Sequence, residues 1–501
     1  MYSAIKSATL LGTRGTPIMV EAHVGQGIPG FTVVGLPDEG CRESRDRVRA
    51  AMLSSGCEWP LKRVTINLAG DGERKGGAGM DLAIAVGLLV AQGVISQDAV
   101  DGLAFIAELG LDGTLRPTAG MAPLVHAVVG SEVVVSSVAA EESMLARPAM
   151  LRPIATLAAL VEVLTDNAPW PDIDTPAAHV VLDDVPDLAD VRGQGAARLA
   201  LEVAASGFHH MLMVGPPGAG KSMLARRLPG LLPRLSENDA FTCAMVRSAA
   251  GMSVTTHVAS SPPYRSPHHS VSMVAMVGGG SAHIRPGELS LASHGVLFLD
   301  EMGEFAPSVL DALRQPLEEG VVNIARAHSS ITMPAKCLLI AATNPCPCGG
   351  DGPNSCLCGT GAKQKYLRRF SGPLLDRFDL RIRLSKPSTT ELTGGSPGES
   401  SAVVAARVAQ HQYIAMERQG CLNSAIPADV LDDVAPLSGA AMSFLRKKLD
   451  AGHLSGRGYH RVRRVARTLA DMNNEFDVIS EQWVELASSM RVPVMAAPER
   501  H

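Results

Sequence analysis

Apolar and polar positions along this chain follow two rhythms, which alternate in blocks. In the first third, short apolar runs bounded by glycine or proline read as strands: Pro17-Ile-Met-Val20, Phe31-Thr-Val-Val34, Val64-Thr-Ile-Asn-Leu68 and Glu132-Val-Val-Val135. Between them, residues 38–54 read as a helix with Asp38 as N-cap and Arg42, Arg45, Arg47 and Arg49 mostly on its wet side. Residues 81–92 read as a second, wholly apolar helix. The loop before it, Glu73-Arg-Lys-Gly-Gly-Ala-Gly-Met-Asp81, is the most distinctive of this part. The mixture predicts an α/β or α+β unit over residues 1–166.

Residues 167–190 are rich in proline and aspartate and read as an interdomain linker. Helical signals resume over 193–205. The buried-strand pattern Met211-Leu-Met-Val214 follows, then a glycine-rich turn, then a helix over 223–228. Further apolar runs end at Asp300 and at Asn344, separated by a predicted helix over 306–319 and a hairpin through Val321, Arg326 and Thr332. This alternation suits a doubly wound, largely parallel sheet that binds its ligand at the strand C-termini, over 191–384. Residues 385–400 read as a second, flexible linker. From 401 to 501 the pattern is helical: Val462, Val465, Ala466, Leu469 and Ala470 form one apolar stripe, with Arg461, Arg463, Arg464 and Arg467 pointing elsewhere.

Composition adds bounds. A chain of 501 residues is long for one core, so several domains are expected. Net charge of −5 argues against a globally basic nucleic-acid binder while allowing a local basic channel. The N-terminus lacks a signal-peptide core, and the longest apolar stretch, 82–90, is too short for a bilayer. We expect a cytoplasmic protein with reduced thiols and no membrane partner.

The chemistry centres on Gly215, Pro216, Pro217, Gly218, Ala219, Gly220, Lys221 and Ser222, which fit G-x-x-x-x-G-K-[ST] in strand–loop–helix context. The glycines let backbone N–H groups turn around phosphate oxygens, and the helix N-terminus adds partial positive charge. Lys221 would reach the β- and γ-phosphates of ATP, and Ser222 would ligate Mg²⁺. About 80 residues on, Asp300 and Glu301 end an apolar run. Asp300 takes the Mg²⁺ role and Glu301 the role of general base. Asn344 ends the next strand, where it can sense the γ-phosphate.

Other residues stay open on spacing alone. Arg377, in Leu374-Leu-Asp-Arg-Phe-Asp379, reads as a surface ion pair with Asp376 or Asp379, or as an arginine finger. Arg457 opens the arginine-rich helix, as a nucleotide contact or a solvated base. Tyr264 to Ser270 and the Gly278 to Gly280 run read as a surface loop or a substrate-contacting insertion; the adjacent His268 and His269 make a poor chelating pair. Lys363, Lys365, Arg368 and Arg369 surround Tyr366, a cluster for nucleic-acid phosphates or a solvated loop. Cys346, Cys348, Cys356 and Cys358 form two C-x-C pairs separated by seven residues, suited to structural Zn²⁺ or to four free thiols.

These motifs in this order resemble the YifB/ComM family of magnesium-chelatase-like AAA+ ATPases, along nearly the whole chain. The resemblance rests on Phe31 to Asp38, Arg42 to Arg49, Val191-Arg-Gly-Gln194, Arg265-Ser-Pro-His-His269, Pro286 to Ala292, Asn344-Pro-Cys-Pro-Cys-Gly349 and Ser371 to Arg377. It implies a multidomain α/β chain: a Lon-protease-like α+β N-terminal domain, an AAA+ P-loop core with a parallel sheet and chelatase-type insertions, and a helical C-terminal lid. It makes Asn344 the first sensor, Arg377 the arginine finger and Arg457 the second sensor. It also implies a self-assembled hexameric ring, and for ComM-type members a DNA helicase that drives branch migration in natural transformation, with recombination proteins as partners. The glycine loop before the apolar helix, Gly76 to Asp81, holds no serine, so we expect no proteolysis from the first domain. Loops near 321–327 and 264–290 are candidates to face a central pore. A metal-chelatase motor subunit and a protein-remodelling unfoldase are the alternatives; the additional Lon-like domain counts against the first.

Overall fold

The computed structural model describes residues 1–70, 75–172, 185–255, 258, 260–280, 284–326, 329–350, 356–394 and 398–494. In the first unit, strands β1 (Tyr2–Leu11), β2 (Arg14–Gly25), β3 (Gly30–Val34), β4 (Arg63–Ala69), β5 (Leu103–Ile106), β6 (Glu132–Ser136) and β7 (Met150–Ile154) form one sheet of order β3-β4-β2-β1-β5-β6-β7. Its β1, β2 and β4 run antiparallel to their neighbours in that trio, while β3 joins β4 and β5 to β7 follow β1 in parallel. Helix α1 (Glu39–Ser54) starts where Asp38 accepts the Cys41 N–H at 2.8 Å. The same carboxylate accepts the Gly77 N–H at 3.1 Å and so ties the glycine loop to the helix start. Helix α2 (Asp81–Gln92) is buried from Asp81 to Ala91, as an apolar stretch without a polar face must be. Arg47 is not on the wet side. Its guanidinium pairs with the fully buried Asp81 at 2.7 and 3.1 Å, because an ionised carboxylate at that depth needs a partner. Glu73 and Arg74 lie outside the described residues.

The second unit is a parallel five-stranded sheet. Its strands are β8 (Met211–Val214), β9 (Tyr264–Arg265), β10 (Val296–Leu299), β13 (Leu338–Thr343) and β14 (Leu380–Arg383), in the order β9-β10-β13-β8-β14. Strands β11 (Val321–Arg326) and β12 (Ser329–Pro334) pair separately as the expected hairpin. Side chains alternate along the sheet. Met211, Met213, Phe298 and Ile340 face one core, and Leu212, Val214, Leu297 and Leu339 face another. Each core is covered by helices, which is the arrangement a parallel sheet requires.

Four helices dominate the C-terminal part: Ser401–Gln419, Gly439–Asp450, Gly456–Met472 and Glu481–Ser489. Val462, Val465, Ala466, Leu469 and Ala470 face inward and join the same apolar cluster as Met211 and Ile340. Two arginines of that helix are not solvated. Arg467 and Arg463 are buried, Arg463 donating to the Ala435 carbonyl at 2.9 Å and Arg467 to Asp471 Oδ1 at 3.0 Å.

Three further expectations change. The helix over 306–319 is two short helices, Pro307–Ala312 and Pro316–Glu319, because Pro316 has no N–H for a continuous ladder. The 385–400 segment contains a helix, Thr389–Gly394, nucleated by a reciprocal cap: Ser388 Oγ accepts the Glu391 N–H at 3.2 Å, and Glu391 accepts the Ser388 N–H at 2.7 Å. The stretch beginning at Tyr264 opens with a two-residue strand, Tyr264–Arg265, paired with β10. Residues 173–184 of the first linker lie outside the described residues; just beyond them Leu188 is buried, and Asp187 accepts the Ser401 N–H at 2.9 Å.

The two α/β units touch. Gly120 and Ala122 donate their backbone N–H groups to Ser248 O and Oγ at 2.9 and 3.1 Å, and Ser248 Oγ donates to Glu142 at 2.5 Å. Gly12, at φ 63°, sits so close to Ile331 of β12 that a Cβ would lie 2.6 Å from Ile331 Cγ2. The hairpin proposed to face a pore is therefore packed on the first unit at Ile331, and Ala327 at its turn lies outside the described residues.

Candidate nucleotide site

The phosphate loop leaves the C-terminal end of β8. Gly218 and Gly220 hold φ of 80° and 87°, a backbone region that side-chained residues rarely adopt. No atom lies within 4 Å of where their Cβ would be, so the loop presents open backbone to a ligand. Lys221 Nζ donates to Gly215 O at 2.6 Å, Pro216 O at 3.0 Å and Asn344 Oδ1 at 3.2 Å. Burial pulls its ammonium pKa down, and Asp300 and Glu301 push it partly back. Ser222 Oγ donates to Asp300 Oδ2 at 2.7 Å, across 78 residues. A hydroxyl beside a carboxylate is the oxygen donor set Mg²⁺ takes in phosphate-loop proteins, so Ser222 and Asp300 fit the ion. Bound there, Mg²⁺ would supply charge neutralisation for the phosphates.

Glu301 stands exposed in the left-handed region, φ 50° and ψ 46°. Such a conformation costs about 1 kcal/mol or more for a non-glycine residue and concentrates at functional sites. Its N–H donates to Asp300 Oδ1 at 3.0 Å. His269 Nδ1 lies 3.8 Å from Glu301 Oε2. The loop bearing His269 is braced by Arg265, which grips Glu288 at 2.6 and 2.7 Å.

Two other neighbours were not predicted. Gln194, itself at φ 56°, donates from Nε2 to Ala219 O at 3.2 Å and Ser385 O at 2.7 Å, fastening the phosphate loop from behind. Its only sequence signal was its place in Val191-Arg-Gly-Gln194. Tyr366 is buried, not offered to nucleic acid: its hydroxyl meets Thr343 Oγ1 at 2.8 Å and donates to Asn344 O at 3.2 Å.

Arg377 is elsewhere. It precedes β14, whose Leu380 pairs with Met211 at the start of β8, while the phosphate loop follows Val214 at the other end. About 10 Å of strand therefore separates the two levels. Arg377 is buried and forms an ion pair with Glu318, not with Asp376 or Asp379. Asp379 is already engaged by Arg461 and, at 3.2 Å, by His209 Nδ1. Burial lowers the Arg377 pKa, Glu318 raises it, and the positive charges of Arg461, Arg457 and Arg314 lower it further. Arg457, exposed, thus shares the Arg377 side of the molecule.

The four cysteines Cys346, Cys348, Cys356 and Cys358 come together just beyond Asn344, with their sulfurs within 4.8 Å of one another. Among the described residues no helix is long and apolar enough to cross a membrane.

Family models described as "Magnesium chelatase, subunit ChlI" and "Magnesium chelatase, subunit ChlI C-terminal" match residues 187–392 and 398–491. A third, "Subunit ChlI of Mg-chelatase", matches residues 20–139. Competence protein ComM of Haemophilus influenzae is 38% identical over 96% of each chain. YifB of Escherichia coli is 38% identical over 98% of this chain and 97% of its own. A rice protein (Oryza sativa subsp. japonica) named for a DNA helicase, MCM9, is 28% identical over 35% of this chain and 21% of its own. From the phosphate loop to the C-terminal helices, this chain belongs to the YifB/ComM family of magnesium-chelatase-like proteins.

Proposed function

We propose that this chain is a subunit of an ATP-hydrolysing ring motor that works on DNA. Family membership implies nucleotide and Mg²⁺ use. Lys221, Ser222, Asp300, Glu301 and Asn344 share the C-terminal edge of one sheet, in reach of a single triphosphate. In this reading Lys221 binds the phosphates and Asn344 senses the terminal one. Glu301 accepts a proton from the attacking water, with His269 beside it.

The observation that carries the ring is the placement of Arg377, a strand length away from its own phosphate loop. An arginine finger there can serve only a nucleotide held by another subunit. Arg457 on the same side would approach that neighbour's nucleotide too. We retain a hexamer as the expected assembly, a cytoplasmic location, and recombination proteins as partners. The first domain is read as a Lon-like, non-proteolytic platform and the C-terminal helices as a lid.

DNA as the substrate is supported by the names of two relatives, a competence protein and a DNA helicase. A chelatase-type motor is the second reading, favoured by the descriptions of the three matching family models. One of these spans residues 20–139, so the additional first domain does not count against a chelatase.

ATPase turnover with and without single-stranded and forked DNA separates the readings, with Lys221→Ala as the blank. We expect clear stimulation by DNA. An ATPase indifferent to every DNA tested would remove the DNA assignment and leave the motor.

A further inference from the structure

The turn after β13 gathers four thiols. Cys346 Sγ lies 3.2 Å from Cys348 Sγ and 3.4 Å from Cys356 Sγ, and Cys348 Sγ lies 3.9 Å from Cys356 Sγ. With Cys358, all four sulfurs fall within 4.8 Å of one another. These separations are too long for a disulfide, whose S–S bond is about 2.05 Å. They suit a tetrahedron: four Zn–S bonds of about 2.3 Å put neighbouring sulfurs about 3.8 Å apart. Hard cations such as Mg²⁺ prefer oxygen, whereas an all-sulfur tetrahedral set selects zinc. Four protein ligands also close the coordination sphere, which marks a structural rather than a catalytic ion.

The position of the cluster gives such an ion a task. Cys346 follows Asn344 by two residues, and Cys358 precedes the Thr360–Leu367 helix by two. That helix returns Tyr366 to the Thr343 side chain and the Asn344 carbonyl, pinning one end of the loop. Within the turn, Gly349 adopts φ 74°, and a Cβ there would lie 2.9 Å from both Cγ and Cδ of Pro217 in the phosphate loop. The turn is thus seated directly on the loop that would hold ATP. The S–H contacts among the cysteines are weak fastenings for such a turn, and a bound metal ion would be a strong one.

We propose that Cys346, Cys348, Cys356 and Cys358 bind one structural Zn²⁺, and that the ion holds the Gly349 turn against Pro217 and so sets Asn344 on Lys221. The metal site stands on the sulfur geometry alone. Its effect on turnover rests on the ATPase reading above.

The test uses full-length protein prepared under reducing conditions: wild type, the double variant Cys356→Ser/Cys358→Ser, and Cys421→Ser as control. Metal content is read by mass spectrometry, and folding by circular dichroism. One zinc per chain is expected in wild type and control, and none in the double variant. Stripping zinc with a chelator that spares Mg²⁺ should speed hydrogen exchange across residues 338–350. It should also slow ATP turnover about tenfold, the scale of one lost hydrogen bond to a charged group. Stoichiometric ZnCl₂ should restore both. Wild type that carries no zinc and takes up none from ZnCl₂ overturns the site. Zinc that binds but whose removal leaves exchange over 338–350 unchanged overturns the positioning role. Exchange decides that role even if wild type hydrolyses no ATP, which would count against the ATPase reading instead.

Discussion

Asn344 Oδ1 accepts a hydrogen bond from Lys221 Nζ at 3.2 Å, joining the ends of two neighbouring parallel strands across 123 residues of sequence. The contact places a side-chain amide beside the ammonium that would hold the terminal phosphates. Asn344→Ala should therefore leave ADP affinity within about threefold and lower ATP turnover by about 10²-fold, the scale of losing one preorganised polar group. Titration with fluorescent ADP and steady-state turnover would check this. An equal loss in both would mean that Asn344 only shapes the pocket.

Arg377→Ala should leave nucleotide binding intact and reduce turnover by about 10³-fold, if the finger is supplied to a neighbour. Mixing this variant with Lys221→Ala, itself unable to bind ATP, should restore part of the activity, because junctions then form with an intact site and an intact finger. Additive inactivity in all mixtures would place the finger elsewhere.

Asp471, buried among the C-terminal helices, accepts from Arg418 at 2.6 and 2.9 Å, from Arg467 at 3.0 Å and from Asn423 at 2.8 Å. Asp471→Asn would leave the fully buried Arg467 without its counter-charge. We expect a stability loss of about 3–5 kcal/mol. Denaturant unfolding followed by the far-ultraviolet helical signal reads it; a change within about 0.5 kcal/mol, as at an ordinary surface site, would refute the role.

His210 sits at the N-terminal end of β8, where its Nδ1 accepts the Leu339 N–H at 3.1 Å. Burial lowers its pKa from 6.5 to about 4; Asp379 opposes the shift, while Arg461, His209 and Arg377 add to it. The unfolded imidazole thus protonates below 6.5 and the folded one only below about 4. This residue's contribution to stability is complete above pH 6.5, declines as pH falls toward 4, and changes no further below. The loss is at most about 3 kcal/mol, reduced by the solvent that still reaches part of the ring. His210→Asn keeps an acceptor for Leu339 and should show a shallower fall in melting temperature over that window. Parallel curves for the two proteins would contradict the assignment.

Much of the nucleotide site was legible because its chemistry is local. A strand, a glycine turn and a lysine–serine pair lie consecutively from Met211 to Ser222, and the Asp300 and Asn344 positions each end an apolar run. The stripe from Val462 to Ala470 was legible too, since helical period alone aligns it.

What failed to read was whatever depended on a partner far along the chain. Arg47 has the pattern of a wet residue, yet it pairs with the fully buried Asp81, and Arg463 is itself buried, donating to the Leu431 and Ala435 carbonyls. Tyr366 sits among lysines and arginines that read as a phosphate-binding cluster or a solvated loop, yet the fold buries it with its hydroxyl on Thr343. The choice of Glu318 as the partner of Arg377 followed from Asp379 being taken by Arg461 and His209.

By itself, then, the sequence determined the local elements, because periodicity, caps and turns act over a few residues. It also picked out the candidate nucleotide residues, because the phosphate loop carries particular groups at short spacing. Only the tertiary structure decided which charges are paired, which arginine faces away from its own phosphate loop, and that four cysteines from two C-x-C pairs converge beside Pro217. Those outcomes depend on distances between segments far apart in the chain, set by how the sheet orders its strands and buries its faces.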